Sequence, residues 1–155
     1  MNIGISADNR RKVADELSKL LANEYLLFTK TKNAHWNIEG PDFYDKHLLL
    51  DNQANQLSDI IDSVAERIRI VGFTAPATLR AFLELTSLPE TSLTENNSTG
   101  FISDLLAAHE TIIIELRNNI SHFADDYADM GSSDFITSLL QEHEKIAWIL
   151  RSVLK

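Results

Sequence analysis

Two histidines and three carboxylates in the first half of the chain have the side-chain types that a divalent metal ion requires. They are His35, His47, Asp51, Asp62 and Glu66. Neutral imidazoles and carboxylates together suit borderline and hard divalent metals, Fe(II) among them. Each residue taken alone is more simply interpreted as a solvated or structural side chain. As a set, with regular spacing, they favour a metal site.

Four of these residues lie on one predicted helix and share one of its faces. From His47 onward their separations are four, eleven and four residues. Steps of four and of eleven return to nearly the same side of an α-helix, which has 3.6 residues per turn. His35 lies near the end of the preceding helix, before the Gly40-Pro41 break. We therefore expect His35 to fold back beside the start of this polar stripe.

The length of the stripe limits how one metal ion can be bound. Asp51 and Asp62 stand about 16 Å apart along the helix axis, whereas metal–oxygen bonds are about 2.0–2.6 Å long. Either the chain carries two half-sites, or a second copy of the helix runs antiparallel beside the first. A two-fold axis between residues 51 and 62 would bring the two ends of the stripe together. The histidines and Asp51 of one subunit would then face Asp62 and Glu66 of its partner.

A di-iron site inside one helical bundle is not predicted. Such sites in ferritin-like bundles use Glu-x-x-His pairs on two helices. None of the five histidines has a glutamate three residues before it. His109, His122 and His143 also show no spacing to a partner residue, and we interpret them as structural or surface residues.

The elements that must position these residues are helices. Apolar residues at three- and four-residue steps predict long helices at about 7–38, 42–71, 100–123 and 133–153, the first capped by Ser6. Residues 73–98 form a long connection, in which residues 78–85 predict a short helix. Short, long, short is the order of connections in an all-α, ferritin-like four-helix bundle with one crossover. At this length we expect one domain, residues 1–155.

Composition excludes several classes of protein. There are 14 basic and 23 acidic side chains, a net charge of −9, which argues against a nucleic-acid-binding body surface. The chain has no Cys, so disulfides, thiolate nucleophiles and zinc-finger sites are excluded, which fits a cytoplasmic location. No apolar run resembles a signal peptide or a membrane span, so we expect neither secretion nor membrane insertion.

A longer motif surrounds the candidate ligands. Residues 31–40 read TKNAHWNIEG, and Phe43, His47, Asp51, Asp62 and the triplet Ala65-Glu66-Arg67 follow. This pattern resembles the Dps family, the DNA-binding proteins from starved cells, also called mini-ferritins. The motif covers about a quarter of the chain, and the helix and loop plan matches over nearly all of it. All five ligand types agree together with their spacings, which makes the resemblance specific.

The resemblance implies a fold, an assembly and an activity. It implies a dodecameric hollow shell built from two-fold dimers, with a di-iron ferroxidase site across each dimer interface. Fe(II) would be oxidised there, with hydrogen peroxide as the preferred oxidant, and Fe(III) mineral stored inside. The family's metal ligands map onto His35, His47, Asp51, Asp62 and Glu66. Asp62 and Glu66 would be the strong anionic ligands, His35 and Asp51 would complete the first iron's shell, and His47 would serve the weaker second iron.

Three neighbours of the site have two interpretations each. By resemblance Trp36 could quench stray radicals, or it is an interface aromatic that fills space. Lys32 and Arg67 could pair with the acidic ligands and orient them, or simply balance charge at the interface.

A second acidic feature lies in the C-terminal half. Nine acidic residues fall between positions 104 and 144, against one basic residue, Arg117. In a shell, some could line iron-entry pores at the three-fold axes, the candidates being Asp125, Asp126, Asp129 and Asp134. The alternative is a solvated acidic surface that aids solubility.

Three functions remain open from these observations. The first is an iron-oxidising mini-ferritin that detoxifies Fe(II) and peroxide. The second is a DNA-binding, nucleoid-protecting protein with secondary iron chemistry. The third is a helical assembly protein whose polar stripe only specifies pairing. The complete ligand set favours the first over the third. The acidic balance favours it over the second, so DNA binding is expected to be weak or absent.

Overall fold

Helices make up most of the structure. The computed structural model describes residues 1–90 and 97–155. It contains α1 (Ala7–Asn37), α2 (Phe43–Ile70), α3 (Leu79–Leu85), α4 (Ser98–Ser121) and α5 (Met130–Val153), with a π-helical turn at His122–Asp126 after α4. Over the described ranges there is no β-strand, only an isolated bridge between Glu39 and Asn97. The prediction of an all-α bundle with a short helix in its crossover is confirmed.

The bundle is two helical hairpins packed together. α1 packs along α2, and α4 packs along α5, while α3 lies against α1. The apolar residues that recur at helical spacing form the interior, with Leu17, Leu57, Ile112 and Leu150 at most 2% exposed. Trp148 is 63% exposed and is therefore not part of the core of this chain.

The first hairpin has the boundaries that its capping residues predict. The Ser6 hydroxyl accepts a hydrogen bond from the Asn9 N–H at 3.2 Å and caps α1. After α1, Gly40 has a φ of +133°, a left-handed conformation that favours glycine, and Pro41 follows it. This turn reverses the chain within a few residues and lays the start of α2 beside the end of α1.

The crossover is attached to α1 and α4 by buried polar side chains. The Asn23 amide donates to Ser87 Oγ and to Glu115 Oε2, and its carbonyl oxygen accepts from the Ser87 N–H. Lys30 Nζ bonds the Pro89 carbonyl oxygen at 3.0 Å and Asp104 Oδ1 at 3.1 Å. Part of the predicted 73–98 connection, residues 91–96, lies outside the described residues.

The second hairpin differs from the prediction at its turn. Helical structure continues past α4 through the π-helical turn, and α5 begins at Met130, three residues before its predicted start. The reason is Asp129, whose carboxylate accepts from the Ser132 N–H at 2.9 Å and acts as the N-cap of α5. In the described ranges, no helix is long and apolar enough to cross a membrane.

Candidate metal centre

His35 and His47 form a reciprocal pair between the end of α1 and the start of α2. Their rings stack with centroids 3.9 Å apart and planes 19° from parallel. His35 Nδ1 lies 3.0 Å from the His47 carbonyl oxygen, and His47 Nδ1 lies 2.9 Å from the His35 carbonyl oxygen. Each ring is therefore held by the backbone of the other residue.

These two hydrogen bonds determine which nitrogen of each ring is free. A carbonyl oxygen can only accept, so each Nδ1 must carry the proton and donate it. In the neutral ring, the Nε2 lone pair is then available to a metal ion. Metal-binding histidines are generally oriented by such a bond from the other ring nitrogen.

Asp51 completes the part of the site at this end of α2. Its Oδ1 lies 3.7 Å from His35 Nε2 and 3.3 Å from Lys32 Nζ. Lys32 thus pairs with an acidic candidate ligand, as one of its two interpretations required. On the other side, the Phe43 ring lies 5.0 Å from that of His47 and buttresses the pair.

Asp62 and Glu66 lie farther along α2 and are both exposed. Within residues 1–90 and 97–155 neither carboxylate has a hydrogen-bond or ion-pair partner. No cluster of three or more His, Cys, Asp or Glu side chains in these ranges could hold a metal ion. The described part of one chain therefore carries only partial sites, and their completion by a second copy stays a prediction.

The surface around the histidine pair is unusually apolar. Trp36, Phe43, Tyr44 and Leu48 are all exposed large side chains, and Trp36 is 70% exposed. Lys32 Nζ lies 6.0 Å from the Trp36 ring centre. The exposure of Trp36 rules out core packing and is compatible with both of its proposed roles.

Comparison with known sequences gives the family. A model of the ferritin-like domain matches residues 14–155. The DNA protection during starvation protein 2 of Bacillus anthracis is 31% identical over 93% of this chain and 97% of its own length. The chain belongs to the Dps family of ferritin-like proteins. An uncharacterised low temperature-induced protein of Nostoc is 37% identical over the whole of this Dps-family chain and 87% of its own length.

Solved Dps structures have the same fold. DpsC from Streptomyces coelicolor superposes with a TM-score of 0.95 at 31% identity, covering 100% of this chain and 90% of its own. The Dps protein of Vibrio cholerae O1, described as a ferritin-like diiron-carboxylate protein, has a TM-score of 0.93 at 25% identity, with 100% and 97% covered. Family membership supports iron binding and a mini-ferritin role in iron storage for this chain.

Arg67 contacts the start of α5 within its own subunit. Its Nε donates to Ser132 Oγ at 3.0 Å and its terminal nitrogen lies 3.3 Å from Asp129 Oδ1, both at the start of α5. Consecutive helical residues point about 100° apart, so Arg67 faces α5 while Glu66 faces solvent. Within the chain, Arg67 therefore joins α2 to α5 and does not pair with the acidic ligands.

The four candidate pore residues of this Dps-family chain are in different environments. Asp129 is buried, caps α5 and pairs with Arg67, so its carboxylate is used inside the subunit. Asp125, Asp126 and Asp134 are exposed, and Asp126 pairs with His122. The iron-entry pore stays a prediction. Of its four candidates, only Asp125, Asp126 and Asp134 are exposed and could line it.

Sequence reasoning missed a second polar group inside the bundle. His143 Nε2 lies 2.9 Å from Glu24 Oε1, and His143 Nδ1 lies 2.9 Å from His109 Nδ1. Interpreted one at a time, the two histidines were structural or surface residues without a partner. The available signal was register, since each follows an apolar core residue, Leu105 or Leu139, by four positions.

Proposed function

We propose that this chain is a ferroxidase that oxidises Fe(II) with hydrogen peroxide at sites shared between two subunits. Twelve chains would form a hollow shell in which Fe(III) mineral is stored. The observation that carries the proposal is the reciprocal His35–His47 pair, which leaves two imidazole Nε2 atoms free beside Asp51. Family membership supports the iron chemistry in general terms.

Asp62 and Glu66, which have no partner among the described residues, support the two-subunit arrangement. Asp62 lies eleven residues beyond Asp51, about 16 Å along the helix axis, and one ion cannot bridge that distance. An antiparallel copy of α2 would bring Asp62 and Glu66 of the partner to the histidine pair. The same contact would cover exposed apolar side chains, among them Trp36 and Leu48.

Iron enters this reaction as a substrate, and each side chain has a role that follows from its chemistry. Carboxylates hold both Fe(II) and the harder Fe(III), and neutral imidazoles suit Fe(II). Asp62 and Glu66 supply most of the negative charge, with His35 and Asp51 completing the first position and His47 serving the second. Two Fe(II) ions give one electron each to hydrogen peroxide, whose O–O bond breaks to leave two hydroxide ions. Because both electrons come from iron held in one site, no hydroxyl radical is released.

Removing the two strongest anionic ligands tests the proposal. We expect the double variant Asp62→Ala/Glu66→Ala to lose fast Fe(II) oxidation by peroxide while keeping the assembly of the native protein, because charge compensation for the metal is lost. The matched control is Asp59→Ala, which removes another exposed carboxylate of α2. Stopped-flow absorbance follows Fe(III) formation, and size-exclusion chromatography follows assembly. Native oxidation kinetics in an intact double variant would contradict the assignment.

A further inference from the structure

Three ionisable side chains form a linear hydrogen-bonded triad in the interior of the bundle. Glu24 on α1, His143 on α5 and His109 on α4 are each 0% exposed. The carboxylate contacts Nε2 of His143, and Nδ1 of that ring contacts Nδ1 of His109, both at 2.9 Å. Two of these side chains are histidines that the proposed iron chemistry does not use.

The contacts determine where the protons of this triad lie. A hydrogen bond between two ring nitrogens contains one proton, because two would repel and none would leave two lone pairs facing each other. The contact between His143 and the Glu24 carboxylate contains one more. The geometry is linear, with His143 in the middle, so the three groups do not converge on a common point as metal ligands must.

A third proton makes the group electrically neutral. With only the two shared protons, the carboxylate and two rings would carry a net charge of −1 in the core, which is strongly unfavourable. Among the described residues, two outer atoms lack a hydrogen-bond partner, Glu24 Oε2 and His109 Nε2. A proton on His109 Nε2 gives a carboxylate, an imidazolium and a neutral imidazole, whose charges sum to zero. An unpaired N–H costs less than a buried net charge.

A fourth proton would give the buried group a net positive charge wherever it bound. On Glu24 Oε2 it would remove the only negative charge of the group. On His109 the remaining position is Nδ1, the atom that accepts the hydrogen bond from His143. Burial, and then the charge of His143, hold the pKa of His109 well below its ordinary value of 6.5. Protonating His109 therefore requires the bond between α4 and α5 to break.

No other buried charge faces the group from the packed helices. The buried residues of α2 include no titratable side chain, and its only buried polar residue is Gln53. The other described buried ionisable groups, Lys30 and Asp129, are paired with Asp104 and Arg67. The number of protons that the triad binds is thus set by its own three side chains.

We propose that the Glu24–His143–His109 triad is an acid-sensitive lock, a hydrogen-bonded connection between α1, α5 and α4 that breaks on acidification. It holds three protons near neutral pH and joins three of the four long helices. It opens when acidification forces a fourth proton onto it. The lock is independent of iron and of the proposed ferroxidase site.

Proton linkage gives the sign of the effect. In an unfolded chain a Glu is ionised above about pH 4.3 and each His binds a second proton below about pH 6.5. Between these values the unfolded state binds four protons at these groups and the folded state three. Stability therefore falls as the pH falls through this window, and the unfolding equilibrium constant rises about tenfold per pH unit for one proton.

The test compares the pH dependence of unfolding between variants of the full-length, metal-free protein. His109→Asn keeps an acceptor close to the position of Nδ1 but cannot be protonated. The unfolding equilibrium constant is measured by urea titration at one fixed protein concentration. Between about pH 6.5 and 5, we expect each unit of acidification to raise this constant by a factor about ten times smaller in the variant than in the native protein. Gln53→Leu, which changes a buried polar residue without removing an ionisable group, is the control and should keep the native slope.

Two further measurements make the outcome decisive. Should His109→Asn not fold, the apolar triple variant Glu24→Leu/His109→Leu/His143→Leu replaces it and should show the same flattened slope. In the native protein, hydrogen exchange at the histidine ring carbons, read by mass spectrometry, should show that His109 remains unprotonated over this range. Native slopes in the variants, or ordinary titration of His109 in the folded protein, would overturn the proposal.

Discussion

The His35 and His47 rings hold each other in place, because each Nδ1 bonds the backbone carbonyl oxygen of the other residue. The α1–α2 turn at Gly40 makes this possible by bringing two residues twelve positions apart into stacking contact. The two rings also stack, with centroids 3.9 Å apart. Replacing one histidine by Ala keeps the backbone carbonyl oxygen that fixes the tautomer of the other ring, but removes the ring against which it stacks.

This interdependence predicts non-additive metal affinities. We expect His35→Ala and His47→Ala each to weaken binding of Zn(II), a redox-inert stand-in for Fe(II), by about tenfold or more. The double variant should lose less affinity than the product of the two single losses, because each single change already removes the stacking contact that orients the remaining ring. Calorimetric titration of the four proteins measures the coupling, with His122→Ala as a control for exposed imidazole. Strictly additive losses would show that the stacking of the two rings does not position the ligands.

Mixing two inactive chains tests whether the site spans two subunits. One parent is His35→Ala/Asp51→Ala and the other is Asp62→Ala/Glu66→Ala. In a mixed two-fold dimer, one site contains all four substitutions and the other contains only native residues, contributed by both chains. We therefore expect part of the Fe(II) oxidation rate to return when the parents are dissociated, mixed and reassembled.

The control for this experiment is each parent reassembled alone, which should stay inactive. Native mass spectrometry establishes that mixed dimers have formed. Absence of recovery in the presence of mixed dimers would place the site within one chain.

The third prediction is weak or absent DNA binding at moderate salt. Two basic residues at the start of α1, Arg10 and Arg11, contact other parts of the same subunit. A terminal nitrogen of Arg10 bonds the Val71 carbonyl oxygen at 3.0 Å, and the Arg11 guanidinium lies 4.5 Å from the Phe73 ring centre. The chain as a whole carries −9, so counterion release from a few cations is opposed by repulsion.

A gel-shift titration on plasmid DNA at about 50 and 150 mM salt checks this expectation. A variant carrying an added lysine-rich N-terminal tail serves as the positive control. A clear shift of the unmodified protein at the higher salt and sub-micromolar concentration would favour the DNA-protecting function instead.

The fourth prediction concerns the attachment of the crossover. Asn23 is buried and bonds Ser87 and Glu115 at once. We expect Asn23→Ala to lower the free energy of unfolding by about 2 kcal/mol, because buried hydrogen-bonding groups lose their partner. Urea titration at a fixed protein concentration measures the loss, and Asn118→Ala, on the exposed surface of α4, is the control. Equal stability of the two variants would mean that Asn23 does not hold the crossover.

Relations within one helix could be predicted because helix geometry fixes them. The 3.6-residue repeat placed the stripe of α2 on one face, and capping chemistry placed Ser6 at the start of α1. The same repeat could have separated Glu66 from Arg67, which are consecutive and therefore point in different directions.

Relations between helices depended on packing. Glu24 and His143 are 119 positions apart, and no spacing rule connects them, so their contact exists only because α1 and α5 meet in the core. Similarly, Asp129 was a candidate pore residue in the sequence but is a buried N-cap in the fold, where it lies beside Arg67 of α2. The sequence by itself determined the helices, the candidate ligands and their common face, because these follow from local geometry and side-chain chemistry. The tertiary structure alone decided which ring nitrogens are free and which charges are buried, because both depend on partners that folding brings together from distant parts of the chain.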